Sequence, residues 1–508
     1  MKFRLLFILQ CVLLLNACTS LTHFSQQQPE KYQTTETRSC AELFYSLDNI
    51  ISTTGVIDSE AARITNYPYL RVNRFLSNYR NDKMDNDSIS AWIDRMQNLA
   101  MEGWQIELKN MPASYNKELT LHANDISETD MSLIETLSYC GDLLSAIDLD
   151  EENEVQDLKT KAKVPDEYKT WQRVLGLYPM TALVFRSGID RWHKETSKIY
   201  AQPLKTIPVH GELVQFTPSA NSVPLSPQEI SQIIKDSSNN VLNIPEPSKI
   251  DKQKLFNSFT PIFEIDIVTN NDRIGAVESD KDNVPKINTD LAKVYQHLSY
   301  TRVTDHVLLQ LNYTIWFPSR PKTSAFDMLA GHMDGITWRV TLLPDGNPWL
   351  FDSMHNCGCY HMFFPTQYAT ILPQEPTLDE PAFIPQSLSI RSNERPIIRI
   401  AHSNHYIERV YFDDTVSHTI VNYEQANSKK LRSLELKNGN HRSLYGQDGI
   451  IHSSKRMERF LFWPMGIPSP GAMRQWGHHA TAFVGRRHFD DARLFDNYFD
   501  IVTTKNNE

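Results

Sequence analysis

The residues of this chain best suited to chemistry are histidines and cysteines that concentrate in its last third. Eleven of the seventeen histidines follow residue 330. The densest run contains His355, Cys357, Cys359 and His361, each separated from the next by one residue. On an extended strand, where side chains alternate between two faces, these four would share one face. Such a row of soft and borderline ligands is typical of a zinc or copper site.

The length of an extended strand limits this interpretation. At about 3.3 Å per residue, a straight strand would separate His355 from His361 by about 20 Å. The two can serve one metal only if the chain bends, and Gly358 is the residue that permits a bend. More plausible is a site in which part of the row is joined by ligands from elsewhere. Those further candidates are His332, Asp334, His402, His405, His478 and His479.

The predicted ligands of zinc or another divalent metal are therefore His332, His355, Cys357, Cys359 and His361, although not all at once. Three protein ligands and a water would make a catalytic site, whereas four protein ligands would make a structural one. Asp334 is the predicted catalytic base or ligand-orienting group, with His332 as the other predicted catalytic residue. Two alternatives stay open. The cysteines can form a Cys-x-Cys disulfide or remain buried thiols, and the histidines can hydrogen-bond within a polar core.

A second cluster, near the carboxy terminus, contains Arg474, Arg486 and Arg487 together with three histidines. Arginine side chains form paired hydrogen bonds that suit carboxylate and phosphate groups. One interpretation is an anion-binding rim beside the presumed metal. The other is an internal ion-pair network in which aspartates of residues 490–496 oppose the arginines.

The first eighteen residues predict the cellular location of the protein. Lys2 and Arg4 precede an apolar run over residues 5–15, which is typical of a secretory signal and too short to span a bilayer. The following Leu15-Asn16-Ala17-Cys18 resembles the lipobox of bacterial lipoproteins. That resemblance implies cleavage before Cys18, lipidation of Cys18 and, since Thr19 follows it, attachment to the outer membrane facing the periplasm. The membrane, reached through this lipid, is thus the first predicted partner.

Composition restricts the remaining partners. A formal net charge of −10 argues against general nucleic-acid binding, which needs a basic surface. An envelope protein or a cell-wall component is the partner class that remains. In an oxidising compartment, Cys40 and Cys140 are the simplest disulfide to expect, with two buried free thiols as the alternative.

Hydrophobic spacing divides the chain into segments of different character. After the signal (1–17) we expect a flexible tether (18–39), a helical domain (40–200), a Pro/Ser/Asn-rich connecting region (201–300) and a β-rich domain (301–508). A short helix from about Ser226 is expected, because Pro227 fits its first turn. Residues 337–353 are expected to form a β-hairpin around Pro344-Asp345-Gly346-Asn347. The predicted fold class is α+β, with a helical domain followed by an antiparallel, sandwich-like sheet.

One ordered series of residues suggests distant relatives. It comprises 311–318 (Leu-Asn-Tyr-Thr-Ile-Trp-Phe-Pro), 331–338 (Gly-His-Met-Asp-Gly-Ile-Thr-Trp) and 352–355 (Asp-Ser-Met-His). The series resembles a family of uncharacterised bacterial lipoproteins and, more distantly, Vps62-like and necrosis-inducing β-sandwich proteins. The resemblance implies a metal-binding acidic and histidine pocket at one end of a sandwich. It covers some 60 residues and departs from the pattern at Arg339, where an acidic partner would follow.

Three functions are compatible with these patterns. The first is an envelope lipoprotein whose metal-supported pocket acts on envelope material, as a metal-dependent hydrolase. The second is a non-catalytic lipoprotein that binds a partner or maintains the envelope, with structural disulfides. The third is a redox protein that uses Cys357 and Cys359.

Overall fold

The computed structural model describes residues 31–126, 131–219, 224–280, 282–391, 394–412 and 419–502. The predicted signal, the first part of the predicted tether and Cys18 lie outside the described residues. The helices are α1 (Thr35–Thr54), α2 (Arg74–Asn78), α3 (Asn86–Asn110), α4 (Ala113–Asn124), α5 (Leu133–Asp148), α6 (Glu152–Lys161), α7 (Thr170–Leu175), α8 (Tyr178–Tyr200), α9 (Pro227–Ser237), α10 (Lys249–Ser258) and α11 (Arg459–Phe462).

The strands follow mainly in the second half of the chain. They are β1 (Ala62–Ile64), β2 (Tyr67–Val72), β3 (Glu212–Pro218), β4 (Ile262–Ile267), β5 (Ala276–Ser279), β6 (Pro285–Asn288), β7 (Lys293–Val303), β8 (His306–Arg320), β9 (Gly331–Leu342), β10 (Pro348–His355), β11 (Met362–Pro365), β12 (Ala369–Ile371), β13 (Ile397–Ile400), β14 (Ile407–Tyr411), β15 (Thr419–Asn427), β16 (Leu434–Glu435), β17 (His441–Arg442) and β18 (Phe499–Ile501).

Two compact units divide the chain, and the first is mainly helical. Its described residues fall within 31–56, 61–72 and 93–163. Helix α1 begins where the Thr34 side chain accepts a hydrogen bond from the Thr37 backbone N–H, and α5 begins with a capping box built by Ser132 and Glu135. Helices α1 and α5 are joined by the Cys40–Cys140 disulfide, with 5.2 Å between the Cα atoms. This is the pairing expected from the sequence.

The second unit, whose described residues fall within 57–60, 73–92 and 164–502, is built on a ten-stranded sheet. The strand order is β11-β10-β9-β8-β7-β15-β3-β4-β13-β14. Most neighbours are antiparallel, but β15 runs parallel to both β7 and β3, and β13 runs parallel to β4. The α+β class is therefore confirmed, while the sheet is mixed rather than purely antiparallel.

The sheet also differs from the expected sandwich in what covers it. Its apolar core includes Tyr200 of α8, Ile234 of α9 and Phe256 of α10, packed with strand residues such as Phe263 and Trp338. Helices thus contribute to covering an apolar face of this large curled sheet. Strands β3 and β4 come from residues 201–300, where the prolines fall mostly between elements rather than within them.

Local turn chemistry agrees with the sequence in the region that leads to the predicted site. Strands β9 and β10 form the expected hairpin, and Leu343 donates its backbone N–H to the Asn347 carbonyl across the turn. Gly346 there has a φ of +85°, a conformation that favours glycine. Helix α9 begins with a capping box built by Ser226 and Glu229, with Pro227 in its first turn. Among the described helices, none is both long and apolar enough to cross a membrane.

Candidate metal centre

Three strand ends meet at one end of the sheet and bring two histidines to an aspartate. Strand β4 is antiparallel to β3, with Glu212 opposite Ile267, and parallel to β13, with Ile400 opposite Ile265. The start of β3, the end of β4 and the end of β13 are therefore neighbours. His210 precedes β3 by two residues, Asp266 is the penultimate residue of β4, and His402 follows β13 by two residues.

The donor atoms of these three side chains lie within 4.8 Å of one another. Asp266 Oδ2 is 3.3 Å from His210 Nδ1 and 3.5 Å from His402 Nδ1. The Asp266 side chain is 2% exposed, whereas His402 is 29% and His210 57% exposed. A buried carboxylate thus forms the floor of the group, and two imidazoles form its solvent-facing side.

Backbone groups hold the carboxylate of Asp266 in place. The backbone N–H of His210 donates to Oδ2 and that of Gly211 donates to Oδ1, each at 2.8 Å. A side chain at position 211 would collide with the neighbouring strand, because a Cβ there would lie 1.9 Å from the Ile267 carbonyl oxygen. Glycine at this position lets the chain approach β4 closely enough to bind Asp266.

The same face of the sheet continues as a buried polar layer. Glu264, two residues before Asp266, accepts hydrogen bonds from Arg399 Nη1 at 2.9 Å and from the Tyr411 hydroxyl at 2.7 Å. Glu408 lies 3.7 Å from Arg399 Nε. Burial raises the pKa of Glu408, with Arg399 opposing and the charge of Asp266 adding to the increase. An acid with a raised pKa therefore lies within electrostatic reach of the three-residue group.

The chemistry and spacing of this group suit a divalent metal. Two imidazole nitrogens and one carboxylate are common zinc ligands, and zinc binds nitrogen and oxygen at about 2.0–2.2 Å. Tetrahedral angles at those bond lengths put neighbouring donors about 3.3–3.5 Å apart, and Asp266 Oδ2 lies at such a distance from each of the two Nδ1 atoms. The group could hold a metal ion with at least one coordination position left for another ligand.

The sequence-predicted Asp334 lies in a different place, in a buried charge network. Its Oδ2 is 2.8 Å from His405 Nδ1, and its Oδ1 is 3.2 Å from Arg456 Nη2 and 3.6 Å from His355 Nδ1. Although burial favours the neutral acid, Arg456 and the two histidines hold the pKa of Asp334 well below its usual range. The hairpin of β9 and β10 therefore brings His355 to Asp334.

His405 extends this network to a second carboxylate. Its Nε2 lies 3.7 Å from Asp272 Oδ1, and its ring stacks on Phe317 with 3.9 Å between centroids. Burial alone would lower the pKa of His405, but Asp272 and Asp334 on its two sides raise it overall. The imidazole lies between two buried carboxylates, so its nitrogens are directed at acids rather than at an open site.

The other predicted ligands have different partners, apart from the two cysteines, which contact each other. His332 Nε2 is 2.7 Å from the Pro285 carbonyl oxygen, and His361 Nε2 is 2.9 Å from Asp352 Oδ2, which also accepts from Arg339. Cys357 and Cys359 are free cysteines, and the Cys359 N–H donates to Cys357 Sγ at 3.4 Å.

The predicted anion-binding arginines contact protein groups. Arg487 Nη2 lies 3.1 Å from Glu380 Oε1, and the buried Arg474 donates from Nε to the Cys357 carbonyl at 3.2 Å. Arg486 is the more exposed of the three and pairs with Asp166. These contacts favour the ion-pair interpretation, although the acids involved come from elsewhere than residues 490–496.

Sequence reasoning identified His402 as a candidate but missed His210 and Asp266. The available signal was the strand Ile262-Phe263-Glu264-Ile265-Asp266-Ile267, in which two acids alternate with apolar residues. Such alternation places both carboxylates on one face. Only the pairing of β4 with β3 and β13 shows that this face is buried and which histidines border it.

Comparisons of the chain with models of known protein families, with curated protein sequences and with solved structures found no match in any of the three. The resemblance to bacterial lipoproteins and to Vps62-like proteins therefore stays a prediction from the quoted residues.

Proposed function

We propose that this chain is an envelope lipoprotein that binds a divalent metal, zinc foremost, through His210, Asp266 and His402. The observation that carries the proposal is the spacing of Asp266 Oδ2 from the two imidazole Nδ1 atoms, 3.3 and 3.5 Å. Both histidines reach solvent, so an ion can enter without rearrangement of the core. The buried aspartate supplies the negative charge that favours cation binding.

The envelope part of the proposal rests on the amino-terminal sequence. Lys2 and Arg4, the apolar run that follows and Leu15-Asn16-Ala17-Cys18 support export, cleavage before Cys18 and lipid attachment there. We propose the outer membrane, facing the periplasm, as the location. The membrane is then one partner through the lipid, and an envelope protein or cell-wall component is the other proposed class.

Hydrolysis of envelope material is the activity that such a site would support. A divalent ion held by three protein ligands can lower the pKa of a bound water and polarise a carbonyl or phosphoryl oxygen. Glu408, which lies 3.7 Å from Arg399 Nε and close enough to Asp266 for the charge of that carboxylate to raise its pKa, is the acid we propose as the proton acceptor. His210 and His402, as ligands, would hold the ion on the solvent side of Asp266, where a substrate can reach it.

A non-catalytic envelope role is the second candidate, and one observation favours it. Most of the polar residues that suggested a catalytic pocket, including Asp334, His355 and His361, are buried and contact other side chains of the same chain. In this role the metal at His210, Asp266 and His402 would stabilise the sheet end or a bound partner rather than activate water.

Zinc titration of the metal-free chain tests the proposal. The chain from Thr19 onward keeps every described helix and strand, so calorimetry on it should give one zinc per chain. His402→Ala and His210→Ala should each weaken binding at least tenfold, since each removes one of three ligands. His306→Ala, at an exposed histidine outside the group, is the matched control and should bind as wild type does. Equal binding by all four proteins would contradict the proposal.

A further inference from the structure

The second unit carries a large exposed apolar surface that the proposed metal site does not explain. Helices α7 and α8 and the turn between them expose six apolar side chains by 62–73%: Val174, Leu175, Leu177, Met180, Leu183 and Val184. Exposed apolar side chains scattered singly are ordinary, but a contiguous group of this kind marks an interaction surface.

A second segment extends this surface. Met457, Phe460 and Leu461 are 58%, 61% and 49% exposed, on and just before α11. The two segments contact each other, because the rings of Phe185 and Phe462 lie 5.0 Å apart. Phe185 follows Val184 in the sequence, and Phe462 follows Leu461. We call residues 171–184 and 457–461 together the apolar surface.

Packing underneath fixes the apolar surface in shape. Arg173 donates from Nε to the Met465 carbonyl at 2.9 Å, and its guanidinium lies over the Tyr178 ring at 4.3 Å. Position 176 has no room for a larger residue, since a Cβ there would lie 2.5 Å from a Pro464 side-chain carbon. The exposed side chains therefore project from a backbone that is held from behind.

The charges that border the apolar surface indicate which kind of partner it binds. The whole chain has a formal charge of −10, yet residues 169–189 contain no acidic residue. Of the three basic residues there, Lys169 and Arg173 donate to backbone carbonyls and Arg186 pairs with Asp190. In residues 455–461, Lys455 and Arg459 are partly exposed, whereas the single acid, Glu458, and Arg456, which pairs with Asp334, are buried. Trp171 is half-exposed at one end, and Arg459 lies over the Phe460 ring.

Apolar side chains flanked by tryptophan and by basic residues are the composition of segments that lie in the headgroup region of a bilayer. We propose that the apolar surface docks onto an anionic lipid bilayer, with Val174, Leu175, Met180 and Val184 entering the acyl boundary and Lys455 and Arg459 facing phosphate groups. This inference rests on the envelope location in the proposed function but not on the metal site. A lipid on Cys18 would hold the chain near the bilayer, and the apolar surface would add a second contact, as stable anchoring commonly requires.

Vesicle co-sedimentation of the unlipidated chain from Thr19 onward tests this inference. We expect it to bind vesicles of phosphatidylethanolamine and phosphatidylglycerol, and to bind pure phosphatidylcholine vesicles at least tenfold more weakly. The double variant Leu175→Asp/Val184→Asp should lose at least tenfold in binding to the anionic vesicles. The matched control is Leu121→Asp/Ile250→Asp, at positions 60% and 70% exposed but outside the apolar surface, and it should bind as wild type does.

Two results would overturn the inference. One is equal vesicle binding, or none, by the wild type and the Leu175→Asp/Val184→Asp variant. The other is a wild-type dimer in analytical ultracentrifugation that the same variant converts to a monomer, which would make a second copy the occupant. Zinc titration of the same samples separates this test from that of the metal site. The double variant should keep its zinc, whereas His402→Ala should keep its vesicle binding.

Discussion

Asp266 Oδ2 lies 3.3 Å from His210 Nδ1, joining a carboxylate that is almost fully buried to an imidazole that is more than half exposed. The backbone N–H of His210 donates to the same oxygen at 2.8 Å. The position of the carboxylate is therefore set by the strand pairing and by a backbone N–H. The His210 ring can be replaced without removing that backbone hydrogen bond. Metal binding and fold stability can be separated by substitution at this pair.

The first prediction concerns zinc-linked stability. Without metal, His210→Ala should change the free energy of unfolding by less than about 0.5 kcal/mol, as is usual for exposed positions. At a free zinc concentration of 100 times its Kd, wild type should gain about 2.7 kcal/mol. The variant should gain much less at the same concentration. Urea unfolding with and without zinc measures both quantities, and an equal zinc-induced gain in the two proteins would contradict the assignment of His210.

The second prediction concerns acid sensitivity and follows from His361. Burial lowers the pKa of His361 to about 4, opposed by Asp352, whereas an unfolded histidine has a pKa near 6.5. Between these values the unfolded chain binds more protons, so this contribution to stability is present above pH 6.5 and is lost as the pH falls towards 4. For this residue the loss between pH 7 and pH 5 is roughly 2 kcal/mol.

His361→Gln should therefore lose less stability than wild type over the same pH interval. The exposed His306→Gln is the matched control and should follow wild type. Urea unfolding at pH 7 and pH 5 provides the comparison. His405, whose pKa is raised, acts in the opposite sense in all three proteins, because its contribution is lost as the pH rises. Parallel pH dependence in wild type and His361→Gln would refute this account of His361.

The third prediction concerns the Asp334 network. Replacing Asp334 with asparagine removes the charge that faces Arg456 and His405, both of them buried. Breaking a buried ion pair by removing one partner typically costs about 3–5 kcal/mol. We expect Asp334→Asn to lower the free energy of unfolding by that amount, with exposed Asp305→Asn changing it by less than about 0.5 kcal/mol. A loss below about 1 kcal/mol would show that the network is not structural.

How far the sequence predicts this molecule depends on the range of the interaction. The Pro344–Asn347 turn and the start of α9 at Ser226 follow from neighbouring residues, and both are as expected. The closeness of Asp334 and His355 follows from the same hairpin. The candidate metal group depends instead on β4 pairing with β3 and with β13, and hydrophobic spacing within a strand does not specify its neighbours.

The predicted row of ligands also shows that spacing along the chain does not specify the partner of each side chain. The even spacing of His355, Cys357, Cys359 and His361 suggested one extended face, but β10 ends at His355. Gly358 then adopts a φ of +92° in a turn, and β11 begins at Met362. Because the chain reverses there, His355 turns to Asp334 and His361 to Asp352. Composition correctly indicated a polar region but not the partner of each side chain.

The fourth prediction concerns the Cys40–Cys140 disulfide. The bond joins residues 100 apart in sequence, and a cross-link that closes a loop of that length stabilises by about 3–5 kcal/mol in the chain-entropy account. Reductant should therefore lower the urea concentration at which the helical unit of the wild type is half unfolded. Circular dichroism at 222 nm, which reports helix content, follows this transition. The Cys40→Ala/Cys140→Ala variant should start at the lower midpoint and show no further change with reductant. A wild-type midpoint unaffected by reductant would contradict the prediction.

The central claim is that His210, Asp266 and His402 bind one divalent metal, and anomalous X-ray scattering at the zinc edge tests it most directly. In a crystal of the chain from Thr19 onward grown with zinc, we expect one anomalous peak within bonding distance of His210 Nδ1, His402 Nδ1 and Asp266 Oδ2. A peak at Cys357 and Cys359 instead, or no peak between the two histidines at saturating zinc, would contradict the claim.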